Sequence, residues 1–146
     1  MSYTNLLYHI VYATNIRAPL ISEELRPGLH QYLGGTVRKL GGIGLEVNGT
    51  SDHVHVVAKV PPTISVAEFL SKLKSGSSGG AKRQTKGRFA WQARYAAFTV
   101  SESQLDRVRQ YVRDQEKHHR RKSFEEEFKA LLRAHHIDFD EAHLWS

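Results

Sequence analysis

Asp52-His53-Val54-His55-Val56-Val57-Ala58-Lys59-Val60 reads as one strand and sets the frame for the rest of the chain. Successive side chains of a strand point to opposite faces. His53 and His55 therefore emerge together, about 7 Å apart at their backbones, while Val54 and Val56 take the other face. Two imidazoles on one side of a strand can grip one ion. Two half-exposed histidines on a surface strand would read the same way, and this stretch alone does not separate the two.

Working outward, Ile43 to Val47 is a second strand-like run, and Asn48-Gly49 between the two is a strong turn signal, which puts the His pair on the second strand of a hairpin. Pro61-Pro62 ends that strand. Ser65-Val66-Ala67-Glu68 reads as a capping box opening a helix with Val66, Phe69, Leu70 and Leu73 on one face, and Ser75 to Gly80 (SGSSGG) reads as its frayed end or a flexible linker. Upstream, Tyr3 to Thr14 is rich in aromatic and branched residues and reads as a strand, with Asn15 to Leu20 a loop. Ser22 can cap a helix carrying Leu25, Leu29, Tyr32 or Leu33, Val37 and Leu40 at helical spacing until Gly41-Gly42. Gly34-Gly35 inside it implies close packing on a sheet.

Downstream, Phe89 to Val100 is the next strand. Ser101-Glu102-Ser103-Gln104 repeats the capping-box pattern ahead of a helix with Leu105, Val108 and Val112 on its buried stripe. Ser123-Phe124-Glu125-Glu126 opens a last helix with Phe124, Phe128, Leu131 and Leu132. The order is β-α-β-β-α-β followed by two helices. It predicts an α+β fold: a ferredoxin-like (RRM-like) antiparallel sheet with helices on one face, plus C-terminal helices, as one domain over residues 1–146.

The 146 residues, 40% hydrophobic, can bury a core without staples, and the absence of cysteine removes disulfides and thiolate metal sites and fits a cytoplasmic protein. No run approaches the ~18 apolar residues of a membrane span. The net charge of +6 is unevenly spread. Between Glu68 and Glu102 there is no acidic residue, while Lys72, Lys74, Lys82, Arg83, Lys86, Arg88 and Arg94 fall in that window, and a second basic run spans Lys117 to Lys122. Such patches attract polyanions, and Phe89, Trp91, Tyr95 and Phe98 nearby can stack on unpaired bases. A solvated basic loop beside core aromatics is the plainer alternative.

Tyr111 and Gln115, four residues apart, share a helix face next to the Leu105/Val108/Val112 stripe, so packing does not require the tyrosine. A His pair, a free tyrosine and an amide suit phosphodiester transfer, in which an imidazole-held cation polarises the phosphate and the phenol attacks it. A phenol with a pKa of about 10 needs help to ionise, which a nearby cation gives. An ordinary half-buried helix tyrosine remains the alternative.

Together, YHIVYATNIRAPLI, DHVHVV, ARYAAFTVSESQ, VRQYVRDQEKHHR, SFEEEF and HHIDFDEAHLW resemble the insertion-sequence-200-like single-tyrosine transposases of the HUH nuclease superfamily, over nearly the whole chain. The resemblance implies that His53 and His55 bind Mg²⁺ or Mn²⁺ with Gln115 as third protein ligand. Tyr111 would become linked to a DNA 5′-phosphate while freeing a 3′-hydroxyl. It further implies cleavage and rejoining of hairpin-bearing single-stranded DNA by a homodimer, with Tyr111 of one subunit serving the His pair of the other and the His53–Val60 strand pairing across the two-fold axis. His118, His119, His135 and His136 could add metal ligands, but read more readily as exposed helix-end residues that favour the macrodipole or a phosphate. A non-mobile relative processing host palindromic DNA and a catalytically silent nucleic-acid-binding module are the other readings.

Overall fold

The computed structural model describes residues 2–145. Four antiparallel strands, β1 (Leu7–Ala13), β2 (Ile43–Gly49), β3 (His53–Lys59) and β4 (Ala96–Val100), lie in the order β2-β3-β1-β4. This is the ferredoxin-like order that the alternation of elements predicts. Helices α1 (Arg26–Lys39) and α2 (Val66–Gln84) cover one face, where Ile10, Tyr12, Val54, Val56 and Ala58 pack against Leu29, Leu33, Val37, Phe69, Leu70 and Leu73. The other face is covered by the C-terminal helices α3 (Leu105–Arg113), α4 (Gln115–His118) and α5 (Phe124–Ala134), with Val11, Ala13, Ala96 and Phe98 meeting Phe124, Phe128 and Leu132. The alternation along β3 thus sends Val54 and Val56 into the larger core and both histidines beneath the C-terminal helices.

Several boundaries differ from the sequence reading, each for a local reason. Asn48-Gly49 is not the hairpin turn. Both residues sit in β2, opposite His55 and Val54, and the chain turns over Thr50 to Asp52. Gly49 is needed for close approach, since a Cβ there would lie 2.1 Å from the His53 carbonyl oxygen. SGSSGG neither frays nor links, because α2 runs through it. Gly76 lets α2 cross beside Tyr32, where a Cβ would meet the ring at 3.2 Å, and the buried Ser77 hydroxyl donates to the Leu73 carbonyl and accepts from Trp91 Nε1. Gly34 and Gly35 are not required by close packing, since a Cβ at Gly34 would meet nothing within 4 Å and one at Gly35 only the Arg38 side chain at 3.7 Å; the close approach is at Gly44 of β2, where a Cβ would lie 3.5 Å from the Gly34 Cα.

The strand read over Phe89 to Val100 is confined to β4. Upstream, Ala13 N donates to the Gln92 side chain rather than to a backbone carbonyl, and Lys74 Nζ donates to the carbonyls of Gln92, Ala93 and Arg94. Ser65 caps α2 through the Glu68 N–H, and Ser123 caps α5 in a full capping box with Glu126. The helix read through Tyr111 and Gln115 breaks at Asp114, between α3 and α4. β3 is flanked by β1 and β2, so it is not free to pair with a second copy; the sheet edges are β2 and β4.

Candidate metal and nucleophile site

His53 and His55 are both fully buried, which removes the reading of half-exposed surface histidines. Each ring is held from behind. His53 Nδ1 lies 2.9 Å from Asp52 Oδ1 and 3.2 Å from the Thr50 hydroxyl, and the ring stacks on Phe124 with centroids 4.0 Å apart. His55 Nδ1 lies 2.7 Å from Nε2 of the buried His9. Both Nε2 atoms face the C-terminal helices, the arrangement in which one imidazole nitrogen is oriented by a partner and the other is presented to a ligand.

They face Glu127, a buried carboxylate in the first turn of α5. Its Oε1 lies 3.2 Å from His55 Nε2, 3.0 Å from His119 Nε2 and 3.6 Å from His53 Nε2. Its Oε2 accepts from Gln115 Nε2 at 2.9 Å and from the Tyr111 hydroxyl. Gln115, also buried, turns its Oε1 to His53 Nε2 at 2.8 Å and to His119 Nε2 at 3.1 Å. Among the described residues, His53, His119 and Glu127 bring ligand atoms within 4.8 Å of one another, a set able to hold a metal ion. A pocket of about 420 Å³ opens beside this cluster, lined by Tyr111, His118, His119, Arg121, Lys122 and Glu127.

Burial would raise the Glu127 carboxyl, but hydrogen bonds with His119 and His55, the His55 charge and the Tyr111 hydroxyl outweigh it and hold the group far below the usual carboxylate range. That anion sets its neighbours. His55 is driven down to about 4 by burial, against the pull of Glu127, and His9 to about 3 by burial and by His55. Burial would lower His119 as well, but the bond to Glu127, its charge and the Lys122 backbone raise it. Tyr111 is pushed up by burial and then by the Glu127 charge and hydrogen bond, so without a cation its phenol stays protonated.

Tyr111, His53, His55 and Gln115 are therefore brought together despite the break at Asp114. Asn48 on β2 steadies the end of α3 by donating from Nδ2 to the carbonyls of Val112 and Arg113, each at 3.0 Å. Tyr111 lies beside His55 and His9 of the same chain, 6.0 Å and 6.1 Å away between ring centroids. His119 is not a free helix-end residue. His135 stacks on Phe98 at 4.1 Å, and His118 leans on Tyr111 at 4.8 Å. Glu127 and His119 fall inside the SFEEEF and VRQYVRDQEKHHR stretches that carry the resemblance, without a site role assigned to them there; Glu127 falls three residues after Phe124 and one before Phe128, on the apolar stripe of α5.

The basic window divides. Lys74 is structural: it caps three carbonyls, lies over the Tyr12 and Tyr95 rings, and is lowered to about 8 by burial. Lys72 pairs with Glu68 at 3.3 Å. Lys82, Arg83, Lys86, Arg88 and Arg94 are exposed, the first two on α2, across the sheet from the histidines.

Fold and site together define a class: a ferredoxin-like α+β domain that presents a His-hydrophobe-His strand to a helix-borne tyrosine. Comparison with known proteins narrows it. Residues 2–115 match the family described as Transposase IS200 like. The chain is 30% identical over 122 residues to the transposase for insertion sequence element IS200 of Salmonella typhimurium, covering 76% of this chain and 77% of that one. It is 24% identical over 117 residues to the ISDra2 transposase TnpA of Deinococcus radiodurans, covering 75% and 84%. Its fold is shared with a crystal structure of a proposed transposase from Deinococcus radiodurans, with TM-score 0.64, 24% identity, and 78% and 93% of the two chains covered. It is also shared with a REP-associated tyrosine transposase bound to a REP hairpin, with TM-score 0.61, 12% identity, and 82% and 72% covered. The chain belongs to the IS200-like transposase family. No helix among the described residues is long and apolar enough to cross a membrane.

Proposed function

We propose that this transposase cuts and rejoins single-stranded DNA through a covalent 5′-phosphotyrosine intermediate on Tyr111, with a divalent cation, Mg²⁺ or Mn²⁺, held at His53, His55 and Gln115. The observation that carries the reading is the convergence of the Tyr111 hydroxyl, the Gln115 amide and both imidazoles on one buried carboxylate. Imidazole nitrogen and neutral amide oxygen make a donor set that suits an exchangeable ion. Bound there, the cation supplies polarisation of the scissile phosphate and stabilises its developing charge.

The chain's own residues account for the rest. Tyr111 Oη attacks phosphorus; the new O–P bond forms as the bond to the 3′ oxygen breaks. The phenol proton passes to Glu127 Oε2, which already accepts it in a hydrogen bond. A phenol of ordinary acidity is mostly protonated at neutral pH, so this transfer accompanies bond formation. The departing 3′ oxygen takes a proton from water. Rejoining runs in reverse: another 3′-hydroxyl gives its proton to solvent hydroxide as its oxygen attacks phosphorus, the Tyr111 O–P bond breaks, and Glu127 returns the proton to Tyr111 Oη.

Substrate selection is assigned to a hairpin in the single strand, contacted by the exposed Lys82, Arg83, Lys86, Arg88 and Arg94. The REP-associated relative bound to a REP hairpin supports that choice. The protein acts on cytoplasmic DNA as a homodimer, whose sheet contact, if any, uses β2 or β4.

The test is an oligonucleotide assay read on a denaturing gel. Wild type should form a covalent adduct with a hairpin-bearing single strand and none with a duplex of the same sequence, and Tyr111→Phe should form none. An adduct on the Phe variant assigns the nucleophile elsewhere.

A further inference from the structure

The metal reading above places two histidines of the strand and one amide around the ion, but the side chains that close the site come from the far end of the chain. His53 Nε2, Gln115 Oε1, His119 Nε2 and Glu127 Oε1 form a closed ring with successive separations of 2.8, 3.1, 3.0 and 3.6 Å. Neighbouring ligands of a six-coordinate ion with bonds of about 2.1 Å stand about 3.0 Å apart. The four atoms therefore have the spacing of ligands that share one small divalent ion. Orientation agrees. Asp52 engages the far nitrogen of His53, the Lys122 backbone engages the His119 ring, and the Gln115 amide nitrogen is committed to Glu127 Oε2, which leaves its oxygen facing inward.

We infer that His119 and Glu127, which lie beyond the region matched by the family, are ligands of the catalytic ion together with His53, His55 and Gln115; His55 Nε2 lies 3.2 Å from Glu127 Oε1. The site is then three imidazoles, one amide oxygen and one carboxylate, carrying a net negative charge where the His pair and Gln115 alone carry none. The carboxylate raises affinity for any divalent ion, and the imidazoles favour Mn²⁺ over Mg²⁺, whose preferred ligands are oxygen. Through Glu127, whose other oxygen accepts from Tyr111, the ion also fixes the nucleophile's position. This inference rests on the metal-dependent reading, and its test keeps the two apart.

Mn²⁺ alone, without DNA, is titrated into the intact protein by calorimetry. Wild type should bind, and the His53→Ala/His55→Ala variant should not. Glu127→Gln, which preserves shape and amide hydrogen bonding, and His119→Ala should each bind at least tenfold more weakly. Glu125→Gln on the same helix turn should bind as wild type. Binding by Glu127→Gln and His119→Ala within twofold of wild type, with loss in the double-His variant, overturns this inference and leaves the metal reading standing; absence of binding in wild type overturns both. A measurement that needs no substitution is the ¹¹³Cd²⁺-induced splitting of ¹⁵N-histidine resonances. It should appear at Nε2 of both His53 and His119, and its absence at His119 overturns the assignment.

Discussion

Gly49→Ala should damage both the hairpin and the site, and by an amount that can be bounded. The added Cβ would lie 2.1 Å from the His53 carbonyl oxygen and 2.9 Å from the Val54 Cα, where ordinary contact begins at 3.4 Å. Both obstacles are backbone, so no rotamer change relieves them, and β2 must part from β3 by more than an ångström at the point where His53 begins. The 3.2 Å hydrogen bond from Thr50 N to the same carbonyl is lost with that movement. Overpacking of this kind costs about 1–3 kcal/mol, and backbone obstruction together with the lost bond places Gly49→Ala at the upper end, about 3 kcal/mol. A displacement of about 1 Å at a reactive group costs on the order of 10²-fold in rate, so adduct formation should fall further than stability alone explains. Gly79→Ala is the internal control. Gly79 is exposed on α2 with no atom within 4 Å of a built Cβ, so the same substitution should stabilise by about 0.5–1 kcal/mol through helix propensity. Urea unfolding of the metal-free proteins and single-turnover adduct formation read the two effects. A Gly49→Ala protein within 0.5 kcal/mol of wild type and fully active would refute the reasoning.

Two further outcomes follow from the charges. His9 is held near 3 in the fold against 6.5 unfolded, so the folded state binds fewer protons: its contribution is fully present above pH 6.5 and stability is lost as pH falls below that, by about 2 kcal/mol at pH 5. His9→Gln should flatten the pH 7 to pH 5 change in urea midpoint, and an equally steep change in that variant would place the acid sensitivity elsewhere. Reversing Lys82, Arg83 and Lys86 to Glu should weaken binding to a hairpin oligonucleotide and flatten the slope of log affinity against log salt, by about 0.7–0.9 for each phosphate that is no longer neutralised; an unchanged slope would show that this end of α2 does not meet the DNA backbone.

The parts of the molecule legible in its sequence are those that local chemistry decides. The valines of β3, the leucines of α1, the Ser65 and Ser123 caps and the His pair each follow from periodicity or a terminal hydrogen bond, and all stand as read. The misreadings share a cause. Asn48-Gly49 and SGSSGG carry turn and linker composition, yet their small residues serve close approach, Gly49 to His53 across the hairpin and Gly76 to Tyr32 of α1, far off in sequence. Glu127 is one of three consecutive acids in the first turn of a helix, where acids are favoured by the helix dipole regardless of function, so its role was masked by a sufficient local explanation. Its place on the apolar stripe between Phe124 and Phe128 was the available signal. His119 was one of four histidines that could add metal ligands, and nothing local singled it out, since only the break at Asp114 and the turn that follows bring its ring to the cluster.

The two faces of β3 give the strand an unusual intolerance of sliding. A slip of one residue against β1 or β2 would bury His53 and His55 among the leucines of α1 and α2 and hand Val54 and Val56 to Glu127 and Tyr111, exchanging core and chemistry in a single step. Misregistered pairing would then yield not a weakened enzyme but one with no site and no core. The irregularity in β2 between Gly44 and Glu46 shows where the hairpin absorbs its one mismatch, at the end remote from the histidines, so that the segment opposite His55 stays in step. An insertion near Gly44 should accordingly be tolerated where the same insertion near Asn48 would not be, making the hairpin a ruler read from its catalytic end.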